Sequence, residues 1–456
     1  MRVAFVGLSV GHQTKTEQVT LHATASRLSV QGIDHSSVSV LRVSDNSPVL
    51  TADYTMTDTP AGPLGAQDYW TDIDLAANAA TPDGTAVWVT YNYVTPTYFT
   101  PRTLDNFEDV KALYGTPMNL SPQAAGDTTY KAVNSPLALA AQFALLNGAA
   151  EVVLVPIQAT AASTSAQIRS ALAAAYAQIE TDYAISLVVP LTDGISNADA
   201  PGVGLDLLAH VTTASNDGFL RTAILGFDPA VTEAPDALVT TGGFKSKRIM
   251  LAYASPQGLN VYNGSANQTS VVGHQYLAAA YAGTALSLPV QKSLTKEQIS
   301  GFAGLAGVPL SNALKNQYSA AGVAVTEIDR RGRLVVRHGL TTDRSNINTA
   351  ELSVVRSRDT MVTVLQNGVD ESQLVGTPID ANTPLNVKSV VAGLLEFALS
   401  MGVFENYTGL QVRQASVDPS VIEVKFAYQP AYPLNYILIS FSINVTNGDT
   451  TLTTTA

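Results

Sequence analysis

The chain has no cysteine among its 456 residues. That excludes a disulfide framework and any thiolate-ligated metal site. Its six histidines are scattered, with no pair at i, i+3 or i+4 and no HExxH, so no helical zinc motif is present. Charge is sparse, at 14% of residues, and the basic side is the poorer: 25 Lys and Arg against 37 Asp and Glu, a net charge of −12. Nucleic-acid binding needs a basic face that displaces counterions, so it is not expected. No apolar run approaches the roughly 20 residues that span a bilayer, and membrane insertion is not expected. No secretory leader is visible either, because Met1-Arg2 runs straight into the strand-like VAFVGLS. These absences predict a soluble protein without metal, cofactor or disulfide.

What is present is apolar. Hydrophobic residues make up 46% of the chain, enough for several cores, and the length implies two or three domains. Low surface charge suits a protein whose surface becomes interface. Residues 1–100 read as a β-rich domain: QVTLHA, RLSVQG, SVSVLRV and AVWVTYNYV are short β-branched or aromatic runs between Gly, Asp, Asn and Pro clusters. The intervening TDTPAGPLGAQDY and AANAATPDGT read as loops. A small sandwich or barrel is the economical assignment, with the first strand possibly belonging to the next sheet.

Residues 101–322 alternate helix and strand. Thr103 or Asp105 is a candidate cap for a helix ending at Gly115, and Ser135-Pro136 opens a second that stops at Asn147-Gly148. The runs EVVLVPI, ISLVVPL, TAILGF and RIMLAYA are apolar at nearly every position and follow helical stretches, the pattern of a parallel sheet covered on both faces, a doubly wound α/β domain. Thr295 with Gln298 has capping-box spacing for a further helix. Residues 323–456 form the last block. Val387, Val390, Val391, Leu394, Leu395, Ala398 and Leu399 keep helical spacing until Gly402. After a turn at 406–409, two alternating runs at 421–428 and 437–445 predict strands, so a helix packs on a small antiparallel sheet. The chain then runs out into a polar, Thr-rich tail, 446–456, which reads either as an added strand for the C-terminal sheet of another copy or as a frayed terminus.

Catalytic motifs are incomplete. Gly7-Leu8-Ser9-Val10-Gly11 matches G-x-S-x-G, but a nucleophile elbow needs a helix next and the chain continues into a polar loop and a strand. His210, His274 and His338 are the candidate partners for Ser9, without supporting context. Gly301, Gly304 and Gly307 precede a Pro rather than opening a helix, and TTGGFKSK lacks the Walker order, so neither reads as a phosphate cradle. No enzyme activity is expected. Arg330, Arg331, Arg333 and Arg337, with Arg356 and Arg358 further on, cluster in an otherwise acidic chain. They read either as a solvated face or as a contact for an acidic neighbour.

The order of these segments carries a resemblance. The C-terminal helix, GVFENYTG and VIEVKFAYQPAYPLNYILISFSIN resemble the C-terminal domain of contractile tail sheath proteins of bacteriophages and related injection machines. GVAVTEIDRRGRLVVRHGLTTD, at 322–343, resembles the strand–turn–strand that opens that domain. RTLDNFEDVKALYGTP and SPLALAAQFALLNGAAEVVLVPI resemble the stretches leading into the family's central domain. The resemblance implies a sheath subunit that polymerises as stacked rings around an inner tail tube, contacts baseplate and tail terminator proteins, and contracts to drive the tube through a cell envelope. It implies a place in the virion tail, after assembly in the host cytoplasm. For such a subunit the charge cluster and the tail supply the interface candidates: Arg330, Arg331, Arg333, Arg337, Asn444, Val445, Thr446, Thr450, Thr451, Leu452 and Thr453. Family members usually carry an extended N-terminal arm before a VAFVG-like strand, whereas this sequence starts at that strand. The competing readings are a hydrolase-like enzyme using Ser9 and a non-contractile envelope or surface-layer protein.

Overall fold

In the computed structural model the described residues are 1–8, 13–24, 26–31, 33–60, 69–93, 99–118, 133–157, 159, 163–262, 269–435, 438–445 and 448–455, the last two, with 13–14, 30–31, 34–37, 58–60, 69–70 and 92, as backbone alone. The centre is an eight-stranded sheet. Arg2–Gly7 lies inside it, parallel to Val152–Pro156 on one side and Ile185–Pro190 on the other. Beyond Ile185–Pro190 the sheet continues in parallel through Thr222–Leu225, Ile249–Tyr253 and Val323–Ile328. Leu334–Val336 and Arg102–Leu104 close the two edges antiparallel. The inner strands carry Val, Ile, Leu, Ala and Phe on both faces because both faces are covered. Val3 and Phe5 pack with Pro136–Leu146 and His274–Ser287, while Ala4 and Val6 pack with Ser165–Tyr176 and Ala200–Asn216.

Helix starts follow local chemistry. Asn106, rather than Thr103 or Asp105, caps Phe107–Tyr114 by accepting from Glu108 N at 2.8 Å, since Thr103 is in the edge strand. Thr164 and Gln167 form a reciprocal capping box on Ser165–Tyr176. Thr295 and Gln298 do not: no helix starts there, and Thr295 Oγ1 is used elsewhere.

Residues 13–93 form a sandwich of two three-stranded antiparallel sheets. One is Gln13–Leu21, Thr85–Tyr93 and Ile33–Arg42; the other is Ser26–Gln31, Tyr69–Leu75 and Tyr54–Pro60. Leu21, Leu28, Ile33, Val40, Ile73, Val87, Val89 and Tyr91 fill the space between them. Tyr69–Leu75 is a strand that the sequence reading leaves out, because Asp72 and Asp74 interrupt its apolar pattern. Asp72 is accommodated by a forked pair with Arg27, at 3.0 and 3.2 Å.

The last block holds two long helices, Leu352–Glu371 and Thr383–Ser400, against a two-stranded sheet of Phe404–Gln414 and Ile422–Pro430. Met361, Val391, Leu395, Ala398, Val403 and Phe404 are its core. Three expectations are corrected here. Strand 323–328, assigned by sequence to this block, belongs to the central sheet. Residues 406–409 are part of a strand rather than a turn. The strands at 422–430 and 438–445 do not pair with each other. Leu438–Val445 instead pairs with Gly448–Thr455 in a separate terminal hairpin.

Candidate assembly surfaces

The arginine cluster sits on the turn between Val323–Ile328 and Leu334–Val336. Asp329 organises that turn by accepting from Arg331 N at 2.8 Å and Arg333 N at 2.9 Å, while Gly332 takes a positive φ of 76°. The Arg333 guanidinium returns to the same carboxylate at 2.7 and 2.9 Å. These hydrogen bonds, led by that from Arg333 N, hold the Asp329 carboxyl below its usual range. Arg337 donates to Asn316 Oδ1 at 2.6 Å and lies 3.7 Å from Glu327, which also pairs with Lys296 and Lys315. Arg330 and Arg331 are exposed, with no carboxylate in ion-pair range among the described residues. Arg356 is not a surface residue: it is 7% exposed and donates to Ala285 O at 2.7 Å, at the end of His274–Ser287. Arg358 pairs with Asp359 at 3.0 Å. The free cationic patch therefore reduces to the tip, Arg330 and Arg331.

Within the Thr-rich tail, Gly448–Thr455 is a strand. Its ladder sets Thr450 opposite Ile443, Thr451 opposite Ser442, Leu452 opposite Phe441 and Thr453 opposite Ser440. Asn444 faces Asp449 and Val445 faces Gly448, and Thr446 lies outside the described residues. Where the sequence suggested a tail running away from the subunit, the chain folds back after 445, because the preceding strand offers its backbone groups within reach. Among the described residues neither hairpin strand pairs with any other strand, and the sheet of Phe404–Gln414 and Ile422–Pro430 also has two unpaired edges. Leu385 and Phe397 on helix Thr383–Ser400, and Met401 at its C-cap, are exposed.

The residues considered for catalysis are dispersed. Ser9 lies outside the described residues. His210 is buried, stacked on Tyr176 and beside Arg221, and its pKa is pushed down to about 4 by burial. The His274 ring lies between Phe227 O and Ser255 O, each at 2.9 Å, and burial lowers its pKa. His338 is buried beneath the arginine strand, where burial and then Arg337 lower it to about 4. Asp193, after strand Ile185–Pro190, accepts from Tyr276 Oη at 2.7 Å and Gln275 Nε2 at 3.0 Å, and burial raises it to about 6. It clamps a loop to a helix. Among the described residues no three His, Asp or Glu side chains converge on a metal-sized site, and no helix is long and apolar enough to cross a membrane.

Comparison with known proteins sets these surfaces in context. No family model matches the chain. It is 29% identical over 444 residues to the tail sheath protein of Mycobacterium phage Bxz1, covering 96% of this chain and 73% of that protein. Its fold matches a chain of the anti-feeding prophage baseplate, six-fold symmetrised, with a TM-score of 0.58 at 15% identity, over 77% of this chain and 90% of the other. It also matches the sheath complex of an extracellular contractile injection system, PVC, in the contracted state, with a TM-score of 0.55 at 14% identity over 77% and 89%. The chain is thus similar in sequence to a phage tail sheath protein and shares the fold of the anti-feeding prophage and PVC chains.

Proposed function

We propose that this chain is the repeating structural subunit of a contractile tail sheath. Copies stack as rings around an inner tail tube, in a virion tail assembled in the host cytoplasm and bounded by baseplate and tail terminator proteins. Triggering lets subunits move as near-rigid bodies into a shorter, wider array that drives the tube through the host envelope for genome delivery. The energy is stored in interfaces between two arrangements, so no nucleotide, metal or catalytic residue is required.

The observation that carries this reading is the near-full-length sequence likeness to a phage tail sheath protein. The C-terminal geometry supports it. A two-stranded hairpin is marginal alone, and unpaired edges invite a strand from another chain. The terminal hairpin docks, through Asn444, Val445 and 450–453, on the sheet of Phe404–Gln414 and Ile422–Pro430 in another copy. Each added backbone hydrogen bond contributes only about 1 kcal/mol net, but a ring repeats the contact in every subunit. Arg330 and Arg331 meet an acidic surface on a neighbouring copy or the tube. Negative-stain electron microscopy of the purified protein tests the assignment: striated hollow tubes or short rings are expected. Monodisperse small particles, together with labelling of Ser9 by a serine-directed phosphonate, would replace it with the hydrolase reading.

A further inference from the structure

The segment joining the C-terminal sheet to the terminal hairpin is short and carries Pro433 just after Pro430, which ends the preceding strand. Proline fixes φ and stiffens such a segment. Two of its side chains also reach the body of the subunit. Tyr432 Oη donates to Asn348 Oδ1. Asn435 is held at both ends of its amide: Nδ2 donates to Glu351 Oε1 at 2.8 Å, and Oδ1 accepts from Thr295 Oγ1 at 3.0 Å.

The receiving pocket is built for that amide. Glu351 is 5% exposed, and its second oxygen accepts from Ser293 Oγ at 3.2 Å. Ser293 Oγ and Thr295 Oγ1 lie 2.8 Å apart, and Gly339 N donates to Thr295 Oγ1 at 3.2 Å. Glu351 immediately precedes helix Leu352–Glu371, so the carboxylate sits at the root of the C-terminal block. Losing Asn435 would strand a buried carboxylate oxygen without its donor, which is costly.

We propose that Glu351 and Asn435 are positioning residues that fix the direction in which the terminal hairpin leaves the subunit. Residues 431–435 are then a strut rather than a loose tether. The functional consequence rests on the sheath reading: an aimed hairpin loses less conformational freedom when it docks on another copy.

The absence of cysteine makes the test direct, because two introduced cysteines are the only labelling sites. Spin labels at Ala313→Cys, on the exposed side of helix Asn312–Ala320, and Thr451→Cys, in the hairpin, report the angle by pulsed electron resonance on the full chain. A narrow distance distribution is expected, widening about twofold or more in Asn435→Ala as the segment regains conformational freedom. Glu351→Gln should stay narrow, because its amide still accepts from Asn435 and donates to Ser293. Leu434→Ala, at an exposed neighbour, should also stay narrow. Equal widths in the parent and Asn435→Ala would overturn the strut. Under the sheath reading, Asn435→Ala should also slow tube formation. A narrow parent distribution that widens in Asn435→Ala, with no tubes from either protein, would uphold the anchor and sink the sheath assignment.

Discussion

Glu351 is buried between Ser293 and Asn435, and burial pushes its carboxyl up to about 7 although both hydrogen bonds and Arg344 pull it down. The folded value lies above the ordinary 4.5, so this group's contribution to stability is complete below pH 4.5 and is lost as pH rises through 7. Glu351→Gln removes that dependence. Between pH 4.5 and 8 the parent should lose on the order of 3 kcal/mol relative to the variant, read from paired melting curves; parallel curves would contradict the assignment. The arginine tip gives a second residue-scale prediction. Arg330→Glu with Arg331→Glu should leave the melting curve nearly unchanged, since exposed substitutions away from structural features usually move stability by under about 0.5 kcal/mol. Tube formation should fail, because like charges facing each other across an interface are costly. Normal tubes would return the tip to plain solvation. Arg333→Glu is a poor probe, since it sets a carboxylate against Asp329 inside the turn.

The helix pair of the C-terminal block depends on a close approach at Gly368, where a Cβ would stand 2.2 Å from Leu394 Cδ2. Gly368→Ala should therefore destabilise the block by about 1–3 kcal/mol despite its better helix propensity. Adding Leu394→Ala should restore part of the loss, measured by denaturant unfolding. This pair also shows where the sequence is readable. Thr383–Ser400 is legible because its apolar residues recur at helical spacing and Gly402, with a φ of 71°, stops it. Leu352–Glu371 is not: it is rich in Val, Ser and Thr, and it buries Arg356, Ser357 and Asp359, which a pattern reading assigns to the surface. The central strands are legible because burial on both faces leaves uninterrupted apolar runs. Their neighbours are not, because pairing is set by tertiary packing, as with Val323–Ile328. Of the candidate surfaces, the arginine turn was visible as composition, but its division into two paired and two exposed members depends on Asp329 and Glu327. The Glu351–Asn435 anchor joins residues 84 positions apart and leaves no local signal.

At the scale of the whole molecule, the terminal hairpin is the element whose protection should change most on assembly. Hydrogen exchange of 438–455 should slow in tubes relative to free subunits, while the strands around Val3 and Phe5 stay protected in both. Equal protection of the hairpin in the two states would argue against docking. Deleting 447–456 should abolish tubes with little change in the monomer melting curve.

The position of Arg2–Gly7 has a consequence for synthesis. This strand leaves the ribosome before both its sheet neighbours, Val152–Pro156 and Ile185–Pro190, which come more than a hundred residues later. At about 5–20 residues per second its slot stays incomplete for roughly 10–40 s, while the sandwich of residues 13–93 already has all its strands. The nascent chain therefore grows with an apolar, unpaired strand held waiting ahead of a module whose strands are already complete. Arrest near residue 160 should leave that strand open to protease or chaperone, and arrest about 30–40 residues past Pro190, once the exit tunnel is cleared, should hide it.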